Sequence, residues 1–459
     1  MRTVLLGLPD DEDDIETNVI AAATLLETRS RRGIYQPFPK EVKTRQKVYR
    51  KRVDADARMM HQYFNFNCMY GPKKFKGRFA LPRPLFLRIL EKVCDYDHDF
   101  LQKTDACGIL GHSSYMKMVA VMKHFAKGIA PDSLDDYTQM GASTIYHYAL
   151  KFMDAIIWIF NGRYMRQPTA EDTKRILAEN EARGFPGMLG SVDCFHWAWR
   201  AYPMDQAGSH SGYKPYPSVV LQAVATYDRW IWHSYFGLGG QNNDLNVLHA
   251  SGLFDRQLNG ASPTCHYQIN NKNYEQGYYL GDGAYPMYGC IVQAYKPVSN
   301  NRESLFNHYQ EAKRKDIKRA FGGLKGKFGI ILKPCRYYKK SDMKAIMRGC
   351  LIMHNMCVEL EYRNKDWGRI TGDEPQPPIQ GNVRLAPHVL YNPAVWGQLR
   401  LELTTHIWNR HGEGLRDGDI PNMVMDDALP EVAEGTTDLD TDEDQYESQS
   451  DGAFYENEE

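Results

Sequence analysis

The apolar run Met188-Leu-Gly-Ser-Val192 is broken by Asp193 and resumed by Phe195 and Trp197. Met188, Leu189 and Val192 have the pattern of a short buried strand. A carboxylate at the end of such a strand is costly unless a cation or hydrogen-bond donors satisfy it. A chain that keeps Asp193 there must build something around it. One answer is a metal-binding aspartate held by a rigid sheet. The plainer answer, a turn or cap aspartate, is the better one for a lone Asp, so the remaining sequence has to decide.

The chain has 459 residues, 42% hydrophobic and 25% charged, which is ordinary for globular proteins. Its length suggests two or three domains with a real core. The formal net charge is −1, so the overall balance selects no partner. Nine cysteines without a CxxC pair, and no signal-peptide pattern, lead us to expect reduced thiols inside a cell. No apolar run is long enough to span a bilayer, so no membrane role is expected.

Residues 1–57 read as a flexible arm. The acidic run Asp10–Asp14 precedes a short helix near Ala21–Glu27, and Lys40–Arg52 is strongly cationic. In that segment Lys47, Arg50, Lys51 and Arg52 are candidate phosphate contacts, or part of a nuclear-import signal. Residues 58–167 turn helical. Leu85, Ile89 and Val93 recur at helical spacing, as do Met118, Val121 and Phe125. Ser133–Met153 has a helix-turn-helix outline, with a turn at Gly141, Ser143 as N-cap, and Thr144, His147 and Lys151 outward. That cationic complement is thin for DNA docking, and a bundle supporting the next domain is the preferred reading.

Residues 168–362 alternate strand and helix signals. Strands are expected at Met188–Val192, Ser218–Asp228 and Trp230–Gly239, with a tight turn at Asp228-Arg229. A helix opens near Asn242 or Asn243, and Tyr278–Pro286 holds a short strand that ends in Asp282. A long helix follows from Leu305 to Lys325, burying Ile317, Ala320, Phe321 and Leu324. The fold class is therefore α/β, a ribonuclease-H-like mixed sheet with flanking helices, plus an N-terminal all-helical region. Two strand-end aspartates brought together repel each other unless a divalent cation lies between them. Oxygen ligands favour Mg²⁺ or Mn²⁺ over zinc.

Several ordered blocks now carry a resemblance. They are Ala182–Trp197, Trp230–His233, Asn242–Leu248, Gly277–Pro286, Glu311–Gly322 and Ile352–Met356. Together they resemble a PIF/Harbinger-type transposase of the plant-transposon DDE superfamily, over about residues 63–411. The resemblance implies a nuclear protein acting on DNA, a divalent-metal DDE triad and a separate Myb-like DNA-binding partner. Asp193 and Asp282 match its first two acids and would hold Mg²⁺ or Mn²⁺. The third acid, a Glu in the family, is Lys318 here. A protonated lysine cannot ligate a cation and competes with one for the aspartates. Asp316 is about 200° round the helix from Lys318, and Glu311 about 10 Å along it, so neither substitutes. Asp244 matches another family position. It reads as a helix-start or a site residue, with the helix start preferred.

His196 and His233 read as core or hydrogen-bonded histidines, and Cys350 with His354 lacks further zinc ligands. Lys313, Arg314, Lys315, Lys318, Arg319, Lys325 and Lys327 suggest a basic surface beside the site, facing DNA backbone or solvent. Residues 363–412 read as a linker and a helix near Val395–Trp408, and 413–459 as an acidic, disordered tail. Two functions stay open: a DNA transposase/endonuclease with impaired catalysis, or a non-catalytic DNA- or chromatin-associated scaffold.

Overall fold

The computed structural model describes residues 48–258, 264–362 and 391–412. Lys47 and the rest of the arm before it, the linker around Glu374–Pro378 and the tail beyond Gly412 lie outside the described residues. Residues 48–51 are coil, and the described residues from Arg52 onward form a separate compact unit.

The second unit opens with five helices: α1 (Arg52–Tyr63), α2 (Pro72–Phe79), α3 (Arg83–Tyr96), α4 (Ser114–Lys127) and α5 (Ala142–Tyr164). Local chemistry sets their ends. The Ser113 side chain accepts from Met116 N at the start of α4, and Gly128 closes that helix with φ 59°. The expected stripes Leu85/Ile89/Val93 and Met118/Val121/Phe125 are buried. At α5 the cap is Gly141 rather than Ser143, which is exposed. A single helical turn, Asp135–Thr138, precedes α5, so the helix-turn-helix outline is present. However, α5 runs for 23 residues, and Lys151 forms ion pairs with Asp97 and Asp99. That is how a supporting helix behaves.

Next come α6 (Ala170–Ala182), β1 (Met188–Ala198), β2 (Ser218–Ala225), β3 (Ile231–Gly239), α7 (Asp244–Ser251), β4 (Tyr267–Ile269), β5 (Lys272–Tyr274), β6 (Tyr278–Leu280) and β7 (Ile291–Val292). Three long helices finish the fold: α8 (Asn301–Lys327), α9 (Lys340–Glu361) and α10 (Pro393–His411). Five strands make a mixed sheet in the order β3-β2-β1-β6-β7. β1, β2 and β3 are antiparallel neighbours, whereas β6 runs parallel to β1 and β7 parallel to β6. As expected, the β2–β3 turn falls at Asp228-Arg229. Asp228 accepts from Thr226 Oγ1 (2.6 Å) and Trp230 N (3.1 Å), while Arg229 takes φ 68°.

The two-residue period sorts the side chains. Phe195, Trp197, Val219, Leu221, Ala223 and Ile231 join one core with Ile317, Ala320, Phe321 and Leu324 of α8. That core continues through α9 into α1–α5, so the expected boundary at residue 167 does not separate two cores. Likewise residues 52–57, expected in the arm, belong to α1, where Ala55 is buried. The opposite sheet face packs Val192 and Val224 against Leu248 of α7, Phe254, Tyr285 and Tyr288. A third cluster joins β4 and β6 to Leu305 and Phe306 of α8 and to Leu399, Leu403 and Ile407 of α10.

Edge strand β3 is closed by a side chain. Asn355 of α9 accepts from Ile231 N (3.0 Å) and donates to Ile231 O (2.8 Å) and Tyr164 O (2.7 Å). Next to it His354, buried and neutral, binds Arg229 O through Nε2 at 2.9 Å. The two residues do for β3 what another strand would do, and they tie it to α5. Replacing Asn355 by Leu leaves three buried backbone groups unpaired. We expect a loss of about 2–4 kcal/mol in urea unfolding; a loss near zero would mean that water or neighbouring groups take over these bonds.

Candidate functional site

Asp193 lies two residues beyond the last β1–β6 pair, Ser191↔Leu280. β6 stops at Leu280 while β1 continues to Ala198, still paired with β2. A notch therefore opens on the β6 side of β1. Asp282 sits two residues past β6, at the edge of the notch. Its Oδ1 accepts from Ala284 N (2.9 Å), which fixes the turn that carries it. A bulge at Met188/Gly190 sets the phase of β1, with Gly190 at φ 153° and the Ala225 carbonyl 2.8 Å from where a Cβ would stand.

A third carboxylate completes the arrangement. Asp244 is the first residue of α7, after Asn243, whose side chain accepts from Asn246 N as N-cap. Ligand oxygens of Asp193, Asp244 and Asp282 all lie within 4.8 Å of one another. Asp244 approaches from the sheet face shared with Cys194 and Tyr285, and Asp193 from the α8 face. They meet because no strand fills the notch between them. The helix-start reading of Asp244 is thus only half of its position. The sequence signal was present in the Asn-Asn-Asp turn leaving β3, but nothing local said that this turn reaches β1.

Electrostatics records the crowding. Burial raises the pKa of Asp193; Lys318 and Arg314 pull it down and Asp282 pushes it up, with a net rise. Burial also raises Asp244, and the charges of Asp282 and Asp193 raise it further. Cys194 is held protonated by burial beside Asp244, with its Sγ 3.7 Å from Tyr285 Oη.

Lys318 projects from α8 with its charge felt at Asp193, but it is exposed and makes no ion pair with Asp193 or Asp282 within 4.0 Å. Its ammonium thus stays outside contact distance of both carboxylates. Arg314, one helical turn earlier, adds a second positive charge toward Asp193. Asp316 points away, as its position on the helix required. It is buried and paired with Arg183 (2.8 Å) and with Arg319. Glu311 is exposed and joins no acidic group at the site among the described residues.

The basic surface of α8 also needs correction. Lys313 is buried, because α8 is covered on two sides, by the sheet and by α10. Lys327 is largely covered and lies 3.8 Å from Glu361. Arg319 is held by Asp316, and Lys325 rests over the Phe195 ring at 4.2 Å. Arg314, Lys315 and Lys318 remain accessible. In the preceding segment Arg50 and Lys51 are coil, and Arg52 opens α1 with Nη1 donating to Leu110 O. His196 binds Ser218 Oγ (3.0 Å), and His233 is fully buried and neutral. Cys350 is buried apart from any metal-ligand group among the described residues.

A raised carboxylate favours folding while it is protonated, below its ordinary pKa, and that advantage is lost as pH rises through the raised value. Above the raised value the ionised Asp244 therefore strains the fold. In chelator, Asp244→Asn should melt at a higher temperature than wild type at pH 7, with the gap closing toward pH 3. A lower melting temperature for the variant at pH 7 would show that hydrogen bonds to the charged form dominate.

Residues 162–365 match the plant transposon protein family, and residues 56–94 match a domain of unknown function. A protein ALP1-like of Arabidopsis thaliana is 23% identical over 309 residues, covering 64% of this chain and 73% of that protein. Protein antagonist of like heterochromatin protein 1 of Arabidopsis thaliana is 22% identical over 265 residues, covering 55% of this chain and 65% of that protein. No solved structure matches. No described helix is long and apolar enough to cross a membrane. The three-carboxylate notch lies within the plant transposon match, and the match and both relatives support a PIF/Harbinger-type, transposase-derived family for this chain.

Proposed function

We propose that the sheet is that of a ribonuclease-H-like nuclease and that the notch is its metal site, used on or beside DNA. The observation that carries this reading is the convergence of Asp193, Asp244 and Asp282 within 4.8 Å from three separate elements. The donor set fits a hard divalent cation: all oxygen, crowded, and mutually repulsive when empty of positive charge. Mg²⁺ or Mn²⁺ would be held by these three residues. Such an ion supplies Lewis-acid activation of water and neutralises charge on a phosphodiester oxygen.

The chain's own groups decide how far this goes. Lys318 and Arg314 place positive charge on the α8 side, where the family's third acid stands. Both weaken cation binding through Asp193, while favouring a DNA phosphate at the same place. We infer a protein that keeps one metal position, binds DNA backbone and cleaves slowly or not at all. Asp244 is the difference from a site stripped of its third acid. It keeps three carboxylates together and makes some metal affinity the expected state. The acid it adds lies on the far side of the notch from Lys318, so it does not restore the two-sided clamp of a two-metal site.

The second reading is a non-catalytic chromatin-associated scaffold, favoured by Lys318 and by the heterochromatin-related name of one relative. A nuclear location and a Myb-like partner belong to both readings as proposals. Calorimetric Mn²⁺ titration and nicking of supercoiled DNA separate them. Wild type should bind about one Mn²⁺, Asp193→Ala should bind none, and Lys318→Glu should bind more tightly by at least tenfold, about 1.4 kcal/mol. Nicking should be absent or slow in wild type and faster in Lys318→Glu. Metal-dependent nicking by wild type, lost in Asp193→Ala, would return the chain to the active transposases. No Mn²⁺ binding in wild type or Lys318→Glu would leave only the scaffold.

A further inference from the structure

Far from the carboxylates in sequence, helices α1, α2 and α4 gather three cations among tyrosines. Lys123 of α4 places Nζ 4.2 Å from the Tyr137 ring centre and 5.9 Å from that of Tyr63. Arg78 of α2 lies 3.8 Å over Tyr70 and donates to Tyr63 Oη. Arg58 of α1 stands 5.2 Å over Tyr137 and donates to its carbonyl (2.7 Å). Tyr137 Oη in turn donates to Gln62 Oε1 (2.7 Å).

No carboxylate offsets this charge. Among the described residues neither Arg58, Arg78 nor Lys123 forms an ion pair. Lys123 Nζ has no hydrogen-bond acceptor, yet it is not sealed from solvent. Ring faces attract a cation but accept no conventional hydrogen bond, so the three N–H donors of the ammonium are unspent. Burial, and then the charge of Arg78, push its pKa down to about 8. Two other cations on this bundle are matched: Lys76 faces Glu361 at 3.6 Å, and Lys151 faces Asp97 and Asp99.

We propose that Lys123, Arg78 and Arg58 form a phosphate site that takes a backbone phosphate of nucleic acid. An ammonium beside guanidinium groups is the usual donor set for phosphate oxygens. A nucleic acid is favoured over an isolated phosphate by the neighbouring surface. Lys73 and Lys74 of α2 are exposed beside the cage, so the positive field extends past a single anion. The site is independent of the carboxylate notch and does not need a metal.

The test is thermal melting of the full chain in phosphate-free buffer, with inorganic phosphate or a short DNA duplex added, alongside mass-spectrometric footprinting of lysine acylation. Both additions should raise the melting temperature of wild type and protect Lys123. Lys123→Met should melt no lower than wild type in plain buffer, because it removes an unmatched charge, and should lose the shift with inorganic phosphate. Lys73→Gln with Lys74→Gln should keep the inorganic phosphate shift and weaken that with duplex. Asp282→Asn should leave every shift unchanged, which separates this site from the notch. Unaltered Lys123 labelling with both additions would overturn the site. Protection by inorganic phosphate or a phosphopeptide, but not by duplex, would overturn the nucleic-acid assignment.

Discussion

From Val192 to its last residue Ala198, strand β1 pairs with another strand on one side only. Every feature of the candidate site depends on that. Had β6 continued for two more residues, its backbone would fill the space where Asp193, Asp244 and Asp282 meet. Instead Gly281 and Asp282 leave the sheet, and the turn fixed by Asp282 Oδ1 carries the chain toward Tyr285. β1 itself stays rigid because β2 pairs with it along residues 191–198. The result is a firm wall with an open edge, where side chains from both sheet faces reach one another. A sheet flanked on both sides has few other places for that to occur.

The cost of the arrangement is electrostatic. Three carboxylates share a partly desolvated space, and burial raises two of them. Arg314 and Lys318 moderate this at Asp193, but solvent around the exposed Lys318 screens its charge. Asp244, farther from α8, gains no relief from either cation; the hydrogen bond from the Cys194 thiol is what lowers it. The site is thus lopsided, with positive charge along α8 and unrelieved negative charge along α7.

Much of this was legible in the sequence. Asp193 and Asp282 announced themselves because a carboxylate interrupted an apolar run, although β1 does not end at Asp193 but runs on to Ala198. The buried stripe Ile317/Ala320/Phe321/Leu324 followed from helical period, and Asp228-Arg229 from turn chemistry. Asp244 was harder, because a helix-start aspartate after an Asn cap is locally self-sufficient. Only the tertiary path of the β3–α7 turn gives it a second task. Lys313 failed for a related reason: a lysine in a basic helix looks exposed until α10, distant in sequence, covers it. The cage around Lys123 was invisible for the same cause, since Tyr63, Arg78, Lys123 and Tyr137 are scattered over α1, α2, α4 and the turn before α5.

Helix α8 explains why the lysine at position 318 is consequential rather than incidental. Its first half packs Leu305 and Phe306 into one cluster, and its second half packs Ile317, Phe321 and Leu324 into another. Between them Asp316 is buried and clamped by Arg183, itself tied to Asn180 of α6. Packing at both ends and an ion pair in the middle leave the helix no freedom to rotate about its axis. Arg314 and Lys318 are therefore committed to the side of Asp193, and Asp316 is committed away from it. A side chain at 318 can retreat into solvent along its own length, as the lysine does, but no neighbouring acid can take its place. The fold commits position 318 to the side of Asp193, so in the proposed reading the charge at that residue weighs on what the notch can hold.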